Sequence, residues 1–328
     1  MEKVSTLPER LPDFYMVGGQ KCGSTFVHRM VDEHPDVYMP HFEVRFLESP
    51  DFDDSGRERF LALFDGQPTH IKVGSKAPAY MDKPEEHAPR IKAISPDAVF
   101  VGILRNPVKR AISAYFHYTR YGLIPPMPLE EGFDKILNRE MGIYQAAADQ
   151  IIEFGMFAKH IEVYHQHFDP NQFLFITYDE LKADNLGELK RIYDFIGVNA
   201  DFADKQSFDR TSNKSIYSLK RLKVRKAILD RKFAYYLNRT RFRKKKRNLI
   251  DQLICSVLLR YDRLILARTV KDDVQPKASE ALLSRLREMY REDIEHLEDL
   301  LDKDLSAWLK RGEGRGDRSE LKEATSGA

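Results

Sequence analysis

The chain has 328 residues, 42% hydrophobic and 32% charged, which excludes a disordered chain and suits one large globular core. Its net charge of +2 is too small to imply a nucleic-acid partner, and two cysteines, Cys22 and Cys255, exclude a disulfide framework or a cysteine zinc site and suit a reducing compartment. No apolar run reaches the ~18 residues of a membrane span, and the first residues, MEKVSTLPERLPDFYM, lack the apolar stretch of a secretory signal.

In chain order, Phe14-Tyr15-Met16-Val17 is an apolar run suited to a buried strand. Gly18 to Thr25 follows, rich in small residues, and then Phe26, Val27, Met30 and Val31 recur at helical spacing. Strand, glycine-rich loop and helix together can cradle a phosphate, because backbone N–H groups and the positive end of the helix turn toward the anion. Without a ligand the same stretch is a plain strand–helix turn. Gly18 and Gly23 have the separation of a nucleotide triphosphate loop, but Ser24 stands where that loop has its lysine, and Lys21 lies inside. Cys22 is either a small filler or a redox-sensitive position within the loop.

His34-Pro35 ends the helix, and Asp36 to Met39 is a short strand candidate. Pro40 to Leu47 is a polar and aromatic mixture at that strand's C-terminal end, where open α/β sheets bind ligands. Helices are expected over Ser55–Phe64 and Pro84–Ile94. Ala98 to Leu104 is nearly all apolar, as a strand buried on both faces should be. Arg105 follows; Asn106 is a good N-cap and Pro107 a good first residue for a helix to about Tyr118, on which Arg110 and Ser113 are neighbours. A Gly/Pro-rich loop, Tyr121 to Pro128, leads to helices over Leu129–Leu137 and Tyr144–His167, and Gln172 to Ile176 is another strand.

From Ser215 to Arg247 Lys and Arg crowd the sequence, with aromatics between them and a single acid, Asp230. The residues 215–247 read either as a solvated charged face or as a contact surface for an anionic membrane or other polyanion. Helices are expected over Leu249–Ala267 and Ala278–Leu301, the latter with a core stripe of Leu282, Leu286, Met289 and Leu297. The tail, 313–328, is polar and expected to be disordered.

Two of these stretches resemble the PAPS-dependent sulfotransferases (PAPS is 3′-phosphoadenosine 5′-phosphosulfate), notably the heparan-sulfate, glycan-type and bacterial members. Lys21-Cys22-Gly23-Ser24-Thr25 has the order of the family's 5′-phosphosulfate loop: a lysine, a small residue, Gly and two hydroxyl residues. Leu104 to Tyr115 matches the 3′-phosphate pattern L-R-[DN]-P-x-x-R-x-x-S-x-[YW] without a mismatch. Lys76-Ala77-Pro78-Ala79-Tyr80 is a softer likeness, with Ala77 in place of a hydroxyl residue, and Tyr178 to Val198 and Asp304 to Leu309 resemble structural segments of the family.

The resemblance implies a P-loop-like three-layer α/β fold, a central parallel sheet flanked by helices, with a C-terminal helical extension. It implies a single domain over 1–312, with the α/β core about 11–214 and basic and C-terminal helices about 215–312. It implies PAPS as donor, PAP (3′-phosphoadenosine 5′-phosphate) as product, and no metal. Gly19, Gln20, Lys21, Cys22, Gly23, Ser24 and Thr25 would hold the 5′-phosphosulfate; Arg105 and Ser113, supported by Arg110, the 3′-phosphate; and Asn213 and Lys214 would lie in a loop over the 3′-phosphate and adenine. Lys21 would stabilise the leaving phosphate, Lys76 the sulfonate or the acceptor, and Glu43 would take the acceptor proton, with His41 and His70 as rival bases. The acceptor would be a carbohydrate, glycolipid or small metabolite. Golgi members carry a membrane anchor, and none is apparent here, so a cytoplasmic enzyme is expected. Two other readings stay open: a P-loop kinase using ATP and magnesium, and a non-catalytic nucleotide-fold protein that binds nucleic acid or membrane through the basic stretch.

Overall fold

The structure, a computed structural model, describes residues 10–48, 52–77, 79–208, 216–236, 240, 242–270 and 274–310. Five parallel strands form its centre: β1 (Phe14–Met16), β2 (Val37–Tyr38), β3 (Lys72–Lys76), β4 (Val99–Leu104) and β5 (Phe173–Thr177). Their order is β2-β3-β1-β4-β5, with Met16 beside both Lys76 and Val101, and Leu104 beside Thr177. From β1 the chain crosses to the edge strand β2, returns inward to β3 beside β1, and then passes to the other side through β4 and β5. The C-terminal ends of β1 and β4 therefore flank the switch point at which sheets of this kind bind ligands. Helices flank the sheet and further helices follow it, as the sequence led us to expect.

The apolar runs explain the central strands. Phe14, Tyr15 and Met16 are at most 1% exposed, and Phe100, Val101, Ile103 and Leu104 are fully buried. Each such side chain contributes roughly 1.5–3 kcal/mol by leaving water. Phe100 stacks between Tyr15 and Phe173 at centroid distances of 5.7 and 4.6 Å. Gly74 and Gly102 leave room for aromatic rings, since a Cβ at either would strike Phe14 or Phe175.

The helix after β4, Pro107–Arg120, starts where Asn106 and Pro107 predict. Asn106 Oδ1 accepts from the N–H groups of Val108 and Lys109 at 3.0 and 3.1 Å, and Asn106 Nδ2 donates to the Trp308 carbonyl at 3.2 Å. One side chain thus caps the helix beside the site and ties down the end of the fold. Asn106→Ala should cost about 1–2 kcal/mol, which urea unfolding would read as a lower midpoint at an unchanged slope.

Three expectations need correction. The helix expected over Tyr144–His167 is two, Gln145–Glu153 and Phe157–His165, broken at Phe154-Gly155-Met156. Gly155 packs against Tyr290, where an added Cβ would lie 3.0 Å from the ring. The Asp293 carboxylate accepts from the N–H groups of Ala158 and Lys159 at 3.2 and 3.1 Å, so the C-terminal helix Glu280–Leu301 caps the second piece. On that helix Met289 is 40% exposed and Tyr290 is buried in its place, giving the stripe Leu282, Leu286, Tyr290, Ile294 and Leu297. The basic stretch is not helical throughout: helix Leu219–Lys232 gives way to an antiparallel hairpin, Phe233–Tyr235 with Phe242–Lys244.

Candidate active site

The loop after β1 is held tightly. Lys21 has a φ of 69°, an uncommon conformation for a residue with a side chain, and Gly23 a φ of 96°. A Cβ on Gly23 would lie 2.9 Å from the Tyr178 ring. Gly23 precedes helix Ser24–Asp32, which no side chain caps. Its first turn therefore offers backbone N–H groups that lack acceptors four residues back.

Arg105, just past β4, donates from Nη1 to the Lys21 carbonyl at 2.9 Å and stacks over Tyr178 at 4.8 Å. The two stretches read from sequence as phosphate sites are thus joined directly. Burial lowers the pKa of the Lys21 ammonium, and the nearby Arg105 and Arg120 guanidinium groups lower it further. Neither Lys21 nor Arg105 has an ion-pair partner among the described residues. Three converging cations and an uncapped helix start make a site that strongly favours a multiply charged anion.

The other expected loop residues take different positions. Gly19 is packed against Phe157 and Cys22, Ser24 is buried, and Thr25 is exposed. Cys22 is fully buried and its N–H donates to the Gly19 carbonyl at 3.2 Å, so it shapes the turn. Burial pushes its thiol up to about 12, which favours the small-filler reading over the redox-sensitive one because the thiolate is the reactive form. Ser113 is half-buried on helix Pro107–Arg120. Arg110 is fully buried and donates to the Ile151 carbonyl, which ties its helix to helix Gln145–Glu153. Asn213 and Lys214 lie outside the described residues.

Beside this loop is a cleft of ≈ 290 Å³, whose walls include Gln20, Glu43, Asp82, His117, Tyr118 and Gln150. Glu43 reaches it from the loop after β2. The Val44 N–H donates to the Lys76 carbonyl at 3.0 Å, and Tyr80 OH to the Val44 carbonyl at 3.2 Å, which clamps that loop to the end of β3. Glu43 Oε2 accepts from Arg45 Nη2 at 3.0 Å. Lys76 is 4% exposed; burial depresses its ammonium pKa, and the charge of Glu43 works against that. A solvated loop lysine is therefore not what Lys76 is.

The rival histidines lie elsewhere. His41 is exposed, with Nδ1 2.8 Å from Asp32 Oδ2. His70 is exposed and precedes β3, at the N-terminal end of the strand and so away from the C-terminal ends where the site lies. The histidines that do lie close are ones the sequence reading passed over. His117 lines the cleft, and burial, then Lys21, Arg120 and Arg45, push its pKa down to about 3. His28 is buried near Lys76 and pushed down to about 4, chiefly by burial. Each follows a motif serine by four residues, Ser24 then His28 and Ser113 then His117, a helical spacing that could have flagged both. Asp82 was also missed. Burial holds its carboxyl well above the usual range against the pull of Arg110, and its Oδ1 has no hydrogen-bond partner among the described residues. Tyr178, read from sequence as packing, buttresses both Gly23 and Arg105.

The family profile described as "Sulfotransferase domain" matches residues 11–260. Mouse heparan sulfate glucosamine 3-O-sulfotransferase 3B1 is 31% identical over 204 residues, covering 61% of this chain and 50% of the relative. Human bifunctional heparan sulfate N-deacetylase/N-sulfotransferase 2 is 25% identical over 203 residues, covering 58% of this chain and 22% of its own. The chain spans about half the length of the 3-O-sulfotransferases it matches. A crystal structure of a sulfotransferase from Alicyclobacillus acidocaldarius is similar with a TM-score of 0.61 at 22% identity, covering 92% of this chain and 100% of that one. At that identity the likeness speaks to the fold.

Proposed function

The chain belongs to the sulfotransferase domain family, and on that premise we propose that it transfers a sulfuryl group from PAPS to an acceptor hydroxyl or amine. The observation that carries the reading is the convergence of Lys21 and Arg105, joined at 2.9 Å, on a loop whose glycines leave no room for side chains. The orphaned Arg105 Nε and Gln20 Oε1 fit a polar, anionic ligand with both hydrogen-bond donors and acceptors. PAPS supplies a sulfuryl group activated by a phosphate leaving group.

The roles of this chain's residues follow from their chemistry. Backbone N–H groups at the start of helix Ser24–Asp32, with Lys21, hold negative charge at the 5′ end. The ammonium of Lys21 stabilises the charge that grows on the leaving oxygen, the kind of contact that gains strength in the transition state. Arg105 and Ser113 hold the 3′-phosphate, the guanidinium by its paired donors. Lys76, with few competing waters, balances charge on the sulfonate oxygens. Glu43 takes the acceptor proton across the cleft. Asn213 and Lys214 stay as candidates for the loop over the nucleotide.

For the acceptor, the relatives named for 3-O- and N-sulfotransfer on heparan sulfate favour a sugar hydroxyl or amine. The polar cleft walls, Gln20, Glu43, Asp82 and Gln150, suit a hydroxylated acceptor. A glycolipid or small hydroxylated metabolite would present the same groups. His117 lines the same cleft, but burial and the surrounding cations that push its pKa down to about 3 make it a weak proton acceptor and rank it behind Glu43.

Calorimetric titration with PAP, beside ATP with magnesium, tests the donor. PAP should bind tightly, and Arg105→Ala should weaken it at least about tenfold through loss of charge-assisted hydrogen bonds. ATP binding without a response to PAP would replace this reading with a kinase.

A further inference from the structure

Helix Leu249–Tyr261 turns an apolar stripe to solvent. Ile250 is 68% exposed, Leu253 66%, Val257 57% and Leu264 52%. With Tyr261 they recur at three- and four-residue steps along the helix and the π-helical turn Asp262–Leu266 that continues it. The fold uses the opposite face. Cys255 and Leu266 are buried there, and Cys255 Sγ donates to the Ile228 carbonyl at 3.9 Å. Asp251 and Asp262 pair with Arg231 and Arg221 of helix Leu219–Lys232 at 3.8 and 2.8 Å. The helix is thus fixed to the body by one face and leaves a contiguous apolar one uncovered, a pattern that marks an interaction surface.

Charge of a single sign surrounds the stripe. Arg243, Lys244, Lys245, Lys246 and Arg247 are exposed immediately before it, and Arg260, Arg263 and Arg268 are exposed along it. The only acids between 242 and 270 are Asp251 and Asp262, both already paired. A polyanion in water would engage the cations and leave the apolar stripe wet. A second copy of this chain would bring like charges together around its own stripe. An anionic bilayer satisfies both features at once: apolar side chains enter the acyl boundary while Lys and Arg meet the lipid phosphates.

We infer that the chain docks on anionic membrane surfaces through the stripe Ile250, Leu253, Val257, Tyr261 and Leu264 and the basic segment Arg243–Arg247. Among the described residues no helix is long and apolar enough to cross a membrane, so the helix would lie in the interface. The docking surface adjoins the cleft, because Thr240 and Phe242 line the cleft and strand Phe242–Lys244 leads into the basic segment. On the reading proposed above, an acceptor held in the bilayer would meet the site without leaving the surface. The docking itself needs no turnover to be tested.

The test is co-sedimentation of the full chain with vesicles of phosphatidylcholine alone and of phosphatidylcholine mixed with phosphatidylglycerol. Binding to the anionic vesicles should be at least about tenfold stronger, and salt should weaken it. The double variant Leu253→Gln/Val257→Gln should reduce it at least about tenfold with an unchanged circular dichroism spectrum and Tm. Lys244→Gln/Lys246→Gln, on exposed side chains, should reduce it as well and keeps the test decisive should the first variant fold poorly. Three results would overturn the inference: no preference for anionic vesicles, undiminished binding by the folded apolar double variant, or a dimer in light scattering that the apolar double variant dissociates.

Discussion

Glu43→Gln is expected to lower kcat by about 10²–10⁴-fold while leaving PAP affinity within about twofold of the parent. The substitution keeps shape and hydrogen bonding and removes only the ability to take a proton. Its structural cost is small. The Arg45 side chain that pairs with Glu43 is 68% exposed, and surface pairs of this kind contribute ~1 kcal/mol or less. The backbone clamp from Val44 to Lys76 does not involve the carboxylate, so the loop stays on β3. The measurement is turnover of radiolabelled PAPS with a desulfated heparan-type oligosaccharide, beside a PAP titration. Loss of turnover with intact PAP binding assigns the proton to Glu43. Retained turnover would remove Glu43 as the base, and a loss appearing in His117→Gln instead would require the arriving anionic donor to raise the His117 pKa from about 3.

The parts of this site that could be read from sequence are those fixed by neighbours in the chain. The loop from Gly18 to Thr25 and the Leu104-Arg105-Asn106-Pro107 corner each join a strand end to a helix start within a few residues, and the fold forms both turns where the sequence places them. What could not be read depends on distant contacts. The break at Gly155 exists because Tyr290, well over a hundred positions later in the chain, packs on it. The choice of Tyr290 over its neighbour Met289 is made by the same contact, since the periodicity alone tolerates either. The hairpin Phe233–Tyr235 with Phe242–Lys244 has strands too short to show alternation and is pinned by a bond from Tyr235 OH to the Tyr121 carbonyl at 3.0 Å. Asp82 carries no local sign of function, and His117 only its helical spacing from Ser113. The cleft assembles them from two helices against Glu43, and burial, with the charges around them, then sets their protonation.

Lys21→Ala separates binding from chemistry on the donor side. Its expected result is a loss of about 10²–10³-fold in kcat, roughly 2.7–4 kcal/mol of transition-state stabilisation, the range for removing a donor aimed at developing charge. PAP affinity should fall far less, because the ground-state phosphate keeps the helix start and Arg105. The loop should survive the change. Arg105 holds Lys21 by its backbone carbonyl at 2.9 Å, and that bond remains when the side chain is cut back. The φ of 69° strains alanine no more than lysine, so the backbone conformation carries no new penalty. Burial and the adjacent guanidinium groups already lower the pKa of this ammonium in the free protein. An arriving multiply charged anion relieves that repulsion, so the cation is held ready at a cost that its ligand repays. A parallel loss of PAP binding and turnover would make Lys21 a binding residue only. Unchanged turnover would remove it from the mechanism and leave Lys76, the buried lysine at the end of β3, as the group that meets the transferred charge.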